Sequence, residues 1–331
     1  MPLSLAKSPP EETNSEGNLR RVGVEIEFGG LPLAEAAQII ADTAGLRQSA
    51  ISDYEIALEG DPAGAWRIER DQELLKKMGR ERAENEEEVG LLATAAEKAL
   101  ELGSKAIVPL ELVSPPLSFE RLPEFQELVD ALRAAGAVGT GGNVLFAFAL
   151  QLNPELPALD AETIRRYLQS FACLQDWLEE RCNMDAARKV THYSALYPID
   201  YVKLLLSEDY APDIATLIDD YLQHNPTRNR ALDMLPVFSY IDEVRVRGIV
   251  SDPKIKSRPT FHYRLPNSKI DEKTWTVFEA WNDWVTVEEI AESPVRLAEL
   301  SKLRSRGLQE LFGDLLSSSA DDVDRWLKEN R

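Results

Sequence analysis

From Arg21 to Phe28 the chain alternates strictly, with Val22, Val24, Ile26 and Phe28 on one side and Gly23, Glu25 and Glu27 on the other. That period of two predicts a half-buried strand. Gly29-Gly30 ends it, and Leu33, Ala36, Ala37, Ile40 and Ala44 then recur at helical spacing up to a stop at Gly45. Tyr54–Glu59, the turn-like stretch Gly60–Gly64 and Ala65–Asp71 predict a β-hairpin with a long loop. Lys76–Val89 is dominated by charge and reads as an exposed loop entering a helix that runs on to about Leu102. A strand follows over Ala106–Val113, stopped by Ser114-Pro115-Pro116, then a helix over Pro123–Ala135 and a buried strand over Asn143–Asn153.

From Asp160, an N-cap candidate, the pattern becomes helical, and Ile164, Leu168, Phe171, Leu174 and Leu178 form one apolar stripe that reads as core. Further helices are predicted over Ile199–Leu206, Ile214–Gln223 and Ala231–Val246. Strand alternation returns at Thr260–Leu265, and helices over Lys273–Ala291 and Pro294–Lys328 close the chain. With strands scattered between helices and no internal repeat, the fold class is α+β. A lead-in over residues 1–18, rich in Pro, Glu and Ser, is expected to be disordered. It is followed by a single domain over 19–331 with a helical insertion at about 160–250.

Composition narrows the function classes. The net charge of −20, from 57 acidic against 37 basic residues, opposes general binding to nucleic acid or anionic lipid. It also makes any local cluster of arginines informative, because a polyanion could be held only there or through a bound cation. No run approaches the roughly 18 apolar residues of a membrane span, and the lead-in lacks the apolar centre of a signal peptide, so the expected location is the cytoplasm. The two cysteines, Cys173 and Cys182, stand in no metal-type spacing and read as reduced thiols.

The candidate chemistry starts with carboxylates. Glu25 and Glu27 leave the same face of one strand about 7 Å apart, at a rise of about 3.3 Å per residue, close enough to share a cation. Glutamates at alternate strand positions equally fit a solvated sheet face. Glu111 lies among apolar neighbours in Val-Pro-Leu-Glu-Leu-Val-Ser-Pro-Pro and needs a partner if buried. Asp71, at the end of the Trp66 strand, is a fourth candidate that could also serve a turn or helix cap. Carboxylates converging from separate strands suit Mg²⁺, whereas three histidines without ligand spacing argue against zinc. Complementary positive charge comes late, in Asn225-Pro-Thr-Arg-Asn-Arg230 and Phe261-His-Tyr-Arg264, where alternation puts His262 and Arg264 on one face. Arginine suits phosphate because its planar fork donates two parallel hydrogen bonds. Arg228 and Arg230 could equally pair with the abundant carboxylates.

Three segments in order, Arg-Val-Gly-Val-Glu-Ile-Glu-Phe (21–28), Leu-Glu-Leu-Val-Ser-Pro-Pro-Leu (110–117) and Phe-His-Tyr-Arg-Leu-Pro-Asn (261–267), resemble the amidoligase family, relatives of glutamate-cysteine ligase and glutamine synthetase. Asp220–Pro236 looks like a signature of one bacterial branch. The resemblance implies a curved, mainly antiparallel sheet with helices packed around it, and an ATP- and Mg-dependent ligase joining a carboxylate to an amine through an acyl phosphate. It implies a peptide or glutamyl-type substrate, and an amidotransferase or another carboxylate-amine ligase as a neighbouring enzyme. Carried over, Glu25, Glu27 and Glu111 hold metal, and Asp71 joins them as a candidate from its place in the sequence. Arg264, Arg228 and Arg230 contact phosphate or the acyl phosphate, and Gln151 and His262 line the nucleotide site. Gln151 stands where relatives often carry His, and His262 where the wider superfamily tends to carry Glu. Gln151 cannot act as acid or base, which leaves a catalytically silent nucleotide- or peptide-binding protein as the alternative.

Overall fold

The structure, a computed structural model, describes residues 5–70, 109–140, 148–182, 194–310 and 319–330. Asp71, the charged stretch 76–89 and the helix expected beyond it lie outside these residues. The chain divides into two compact units, both discontinuous: residues 22–151 with 267–277, and residues 5–21 with 152–266 and 278–331. Both mix helices with antiparallel strands, as the α+β reading expects. Among the described residues no helix is long and apolar enough to cross a membrane.

The first unit is built on strand β1 (Arg21–Phe28), helix α1 (Leu33–Ala44), β2 (Arg47–Ser52), β3 (Glu55–Glu59), β4 (Trp66–Arg70), β5 (Leu110–Val113), the two-residue β6 (Leu117–Ser118) and α2 (Leu122–Ala134). Its strands lie in the order β2-β3-β4-β5-β1, with β6 also on β1, and the β2-β3, β3-β4, β4-β5 and β5-β1 pairings are antiparallel. One face is apolar because the period of two puts Val22, Val24, Ile26 and Phe28 on the same side of β1, with Ile26 opposite Leu112, Phe28 opposite Leu110, and Leu112 in turn opposite Ile68. All are buried, and α1 buries its own Ala36, Ala37 and Ile40, packing on β2, β3, β4 and α2. Trp66 stacks on Phe125 of α2 at 5.9 Å between ring centres. Burying side chains of this size stabilises by about 1.5–3 kcal/mol each, so this face fixes the register of the opposite one. Gly45 ends α1 at φ 67, the left-handed conformation that favours glycine. The expected hairpin is present as β3 and β4. β2, wholly exposed, was not anticipated by any apolar pattern.

β7 (Leu150–Pro154) carries the chain from the first unit into the second. There follow α3 (Ala161–Cys182), α4 (Ile199–Leu205), α5 (Ile214–His224), β8 (Leu232–Asp233), α6 (Leu235–Ile241), α7 (Glu243–Arg247), β9 (His262–Tyr263), α8 (Val277–Ala291), α9 (Pro294–Glu310) and α10 (Ser319–Glu329). Asp160 caps α3 as expected, its Oδ1 accepting the Thr163 amide at 2.9 Å, and the stripe from Ile164 to Leu178 is buried. The single helix expected over 231–246 is instead β8, α6 and α7. The Asp233 side chain accepts the Leu235 amide, and Asp242, outside the helical region at φ −146 and ψ 82, caps α7 through the Arg245 amide. Both side chains offer the backbone an alternative to a continuous helix. The strand expected over 260–265 is shorter, with only His262 and Tyr263 in the ladder.

The lead-in expected to be disordered makes defined contacts from residue 5 onward. Lys7 N–H donates to Asn282, Trp281 Nε1 donates to the Lys7 carbonyl, and Ser15 N–H donates to the Pro157 carbonyl. Arg20, fully buried, forms a two-pronged ion pair with Glu288 of α8 at 2.7 and 2.8 Å. Cys173 and Cys182 are both free thiols.

Candidate functional site

The polar face of the first unit's sheet follows from the register its apolar face fixes. Glu27 lies directly opposite Glu111, Glu111 opposite Glu69, and Glu69 opposite Glu55. Four carboxylates thus form one row across four neighbouring strands, where directly opposed Cβ atoms lie about 4.5–5.5 Å apart. Like charges at that spacing repel. At the outer end Arg67, one row back, offsets them, its Nε 3.1 Å from Glu69 and its Nη1 3.8 Å from Glu55. At the inner end Glu27 accepts the Ala149 amide at 2.8 Å, while its own amide donates to the Ala149 carbonyl at 2.9 Å. Continuing that antiparallel register by two residues places Gln151, buried, opposite Glu25.

Of the sequence candidates, Glu25, Glu27, Glu111 and Gln151 therefore share one sheet face, and Asp71 lies outside the described residues, one position beyond the end of β4. Glu69 and Glu55 were missed. Alternation with Trp66 and Ile68 marks Glu69 as outward-facing, but only strand pairing shows that it meets Glu111. Among the described residues no three His, Cys, Asp or Glu side chains group closely enough to hold a metal ion. The donor set consists of hard carboxylate oxygens. It fits Mg²⁺, which commonly takes one or two protein carboxylates and fills its other positions with waters and substrate phosphates.

The positive candidates belong to the second unit. On β9, Tyr263 pairs with Leu152 of β7 and Leu232 of β8, and His262 pairs with Asp233. Phe261, Tyr263 and Leu265 are wholly buried, with Phe261 and Tyr263 against Trp284 at 5.0 and 5.5 Å. The alternate residues His262 and Arg264 occupy the other face, as read from the sequence. Arg264 N–H donates to the Ala231 carbonyl at 2.8 Å, so Arg264 is a diagonal neighbour of Asp233. Arg228, about a quarter exposed, has its Nε 3.9 Å from Asp252. Arg230 has a different setting: its Nη atoms donate to the Leu196 and His224 carbonyls at 3.2 Å, tying the end of α5 to the segment before α4.

The electrostatics of this face are unusual. Burial pushes the Asp233 carboxyl up to about 7, although Arg264, the Leu235 amide and Arg228 all favour its charged form. Burial holds His262 well below its ordinary range, reinforced by Arg264, Arg258 and Arg228, so the imidazole is neutral at pH 7. Sequence reasoning passed over Asp233 because it lay in a stretch read as helix. Its one signal was a lone acid in Ala-Leu-Asp-Met-Leu.

The family described as "putative amidoligase enzyme" matches residues 18–286. No curated protein and no solved structure matches the chain. The family match spans most of the sequence and includes the carboxylate row, Asp233, His262 and the arginines: the chain belongs to the amidoligase family.

Proposed function

We propose that the protein is an ATP- and Mg-dependent ligase that joins a carboxylate to an amine through an acyl phosphate, on a sheet of the glutamine synthetase and glutamate-cysteine ligase type. A peptide or glutamyl-type substrate fits the family, as do a cytoplasmic setting and a neighbouring amidotransferase or second carboxylate-amine ligase. The observation that carries the reading is the register of Glu27 on Glu111, with Glu25 two residues along the same face. On a chain of net charge −20, such a row calls for a cation.

When bound, Mg·ATP would supply the phosphoryl group that activates the carboxylate. Glu25, Glu27 and Glu111 offer oxygens to the ion, and the Ala149 amide orients Glu27. Asp71, directly after β4, is a fourth candidate from the sequence. Arg264 and Arg228 present fixed positive charge to phosphate oxygens, stabilising charge that spreads during transfer. His262, neutral, adds none. Gln151 can donate or accept a hydrogen bond but cannot transfer a proton.

The test is ADP release and product mass with Mg²⁺, ATP and a panel of peptide carboxylates and amines. Turnover that disappears in Glu27→Gln, with an unchanged circular dichroism spectrum, is the expected result. Full turnover in both Glu27→Gln and Glu111→Gln would refute the site. Mg·ATP binding without turnover across the panel would favour the catalytically silent alternative.

A further inference from the structure

Asp233 has no role in the scheme above, yet its placement is costly. Its side chain is almost wholly buried on β8 opposite His262. Oδ1 accepts the Leu235 amide at 3.0 Å, and Oδ2 accepts no hydrogen bond among the described residues. A buried carboxylate with so few donors is expensive to keep ionised. What it has instead is position: Arg264 diagonally across the ladder on the same face, and the charge of Arg228 within reach.

We propose that Asp233 is the proton-carrying partner of the Arg228–Arg264 cluster, taking up a proton when a phosphate-bearing anion docks on those two arginines. The inference rests on the reading of the arginines as phosphate contacts. An anion there competes with the carboxylate for the same positive charge, so Asp233 and the ligand cannot both be fully ionised at low cost.

Among the described residues, the other charged and titratable groups that act on Asp233 leave it as the group that changes charge near neutrality. From β9, His262 is neutral and Arg264 permanently charged. From the loops come Arg228, Arg258 and Asp252, the last beside Arg228. From the helical side, burial pushes the Tyr197 and Tyr221 hydroxyls well up, so they keep their protons. Asp233, pushed up to about 7 by burial, is partly ionised at pH 7.5, and a bound anion raises its proton affinity further. Binding therefore takes up as much as one proton, and affinity falls as pH rises through this range, by up to about tenfold per pH unit.

The experiment is titration calorimetry of Mg·ATP into the full chain at pH 7.5 in two buffers of different ionisation heat, repeated at pH 6. The wild type should take up a substantial fraction of a proton at pH 7.5 and much less at pH 6, where Asp233 is already protonated. Asp233→Asn should take up none and should bind at pH 8 at least as tightly as the wild type. Asp252→Asn should keep the wild-type pH dependence. Binding without proton uptake, or with equal uptake in Asp233→Asn, overturns the role of Asp233 while leaving the arginines in place. Absence of Mg·ATP binding removes the reading of the arginines and this inference with it. If Asp233→Asn does not fold, the wild-type proton count at the two pH values decides.

Discussion

Replacing Glu288 by alanine should be among the most damaging single changes in this chain. Both carboxylate oxygens bond the Arg20 guanidinium, Nη1 at 2.8 Å and Nη2 at 2.7 Å, and Oε1 also accepts the Trp284 indole N–H at 2.7 Å. Neither member of the ion pair is solvent-exposed. Burial alone would pull the guanidinium down, and the Glu288 bonds and charge more than offset it. Glu288→Ala removes the carboxylate that answers a buried permanent charge and strands the indole N–H. The bonds of Arg20 to the Glu155 and Glu11 carbonyls bring no countercharge, and the charge of Glu292 acts on it more weakly than that of Glu288. Removing one partner of a buried pair costs about 3–5 kcal/mol. That is a large share of the 5–15 kcal/mol or so that keeps a typical protein folded.

The assay is urea unfolding followed by fluorescence of Trp281 and Trp284, which sit on the same helix as Glu288, comparing midpoints at equal slope. Glu288→Gln, which keeps the shape but turns an amide toward the guanidinium, should fall between wild type and Glu288→Ala. Arg20→Met combined with Glu288→Leu should recover much of the loss, since replacing both charges removes the desolvation cost. A loss below about 1 kcal/mol in Glu288→Ala would refute the reasoning, because water would then have to reach Arg20 in the native state.

Three more outcomes follow from particular residues. Without magnesium, Glu111→Gln should raise stability by about 0.5–1 kcal/mol by relieving its two like-charged cross-strand neighbours, and it should shrink the stabilisation Mg·ATP gives; a lower denaturant midpoint would mean the carboxylate bonds structurally. Arg264→Lys keeps the charge but loses the fork, so ADP release should fall about tenfold or more, roughly 1.4 kcal/mol in the barrier; unchanged turnover would remove Arg264 from the phosphate site. The two-pronged bond from Arg121, helped by the Ala63 amide and the Trp66 indole, holds the Asp61 carboxyl far below the usual carboxylate range. Its contribution is complete above about pH 4 and is lost as pH falls toward the depressed folded value, so the gap between wild type and Asp61→Asn in unfolding midpoints should narrow from about pH 4 downward.

What could be read from the sequence was whatever a local period encodes. β1 declared itself through four apolar residues at alternate positions, α1 through its stripe and Gly45, and α3 through Asp160 and the run from Ile164 to Leu178. Glu25, Glu27 and Glu111 could be chosen because each sits on or in an apolar strand. Register could not be read. Glu27, Glu69 and Glu111 come from three strands, and their alignment is set by the packing of Ile26, Leu112 and Ile68 on the opposite face. β2 was invisible because all six residues are exposed and only ladder bonds to β3 define it. Asp233 was hidden by apolar neighbours at helical spacing, and only its bond to Leu235 shows where the helix gives way to β8 and a turn. The lead-in has the composition of a disordered tail, but contacts such as Lys7 with Asn282 hold it, and Arg20, just beyond it, finds a counterion far along the chain.

That counterion sets a timetable for biosynthesis. Arg20 and Glu288 are 268 residues apart, and translation adds about 5–20 residues per second, so Arg20 waits on the order of tens of seconds before its carboxylate is made. Until then, burying the guanidinium costs several kcal/mol, and the segment from Leu5 to Arg21 cannot dock. Trp281 and Trp284, which accompany Glu288 on α8, arrive in the same late interval. A ribosome stalled short of α8 would hold a chain whose second unit lacks both its ion pair and its aromatic centre. Such a chain would offer exposed apolar segments to chaperones and proteases for as long as the stall lasts.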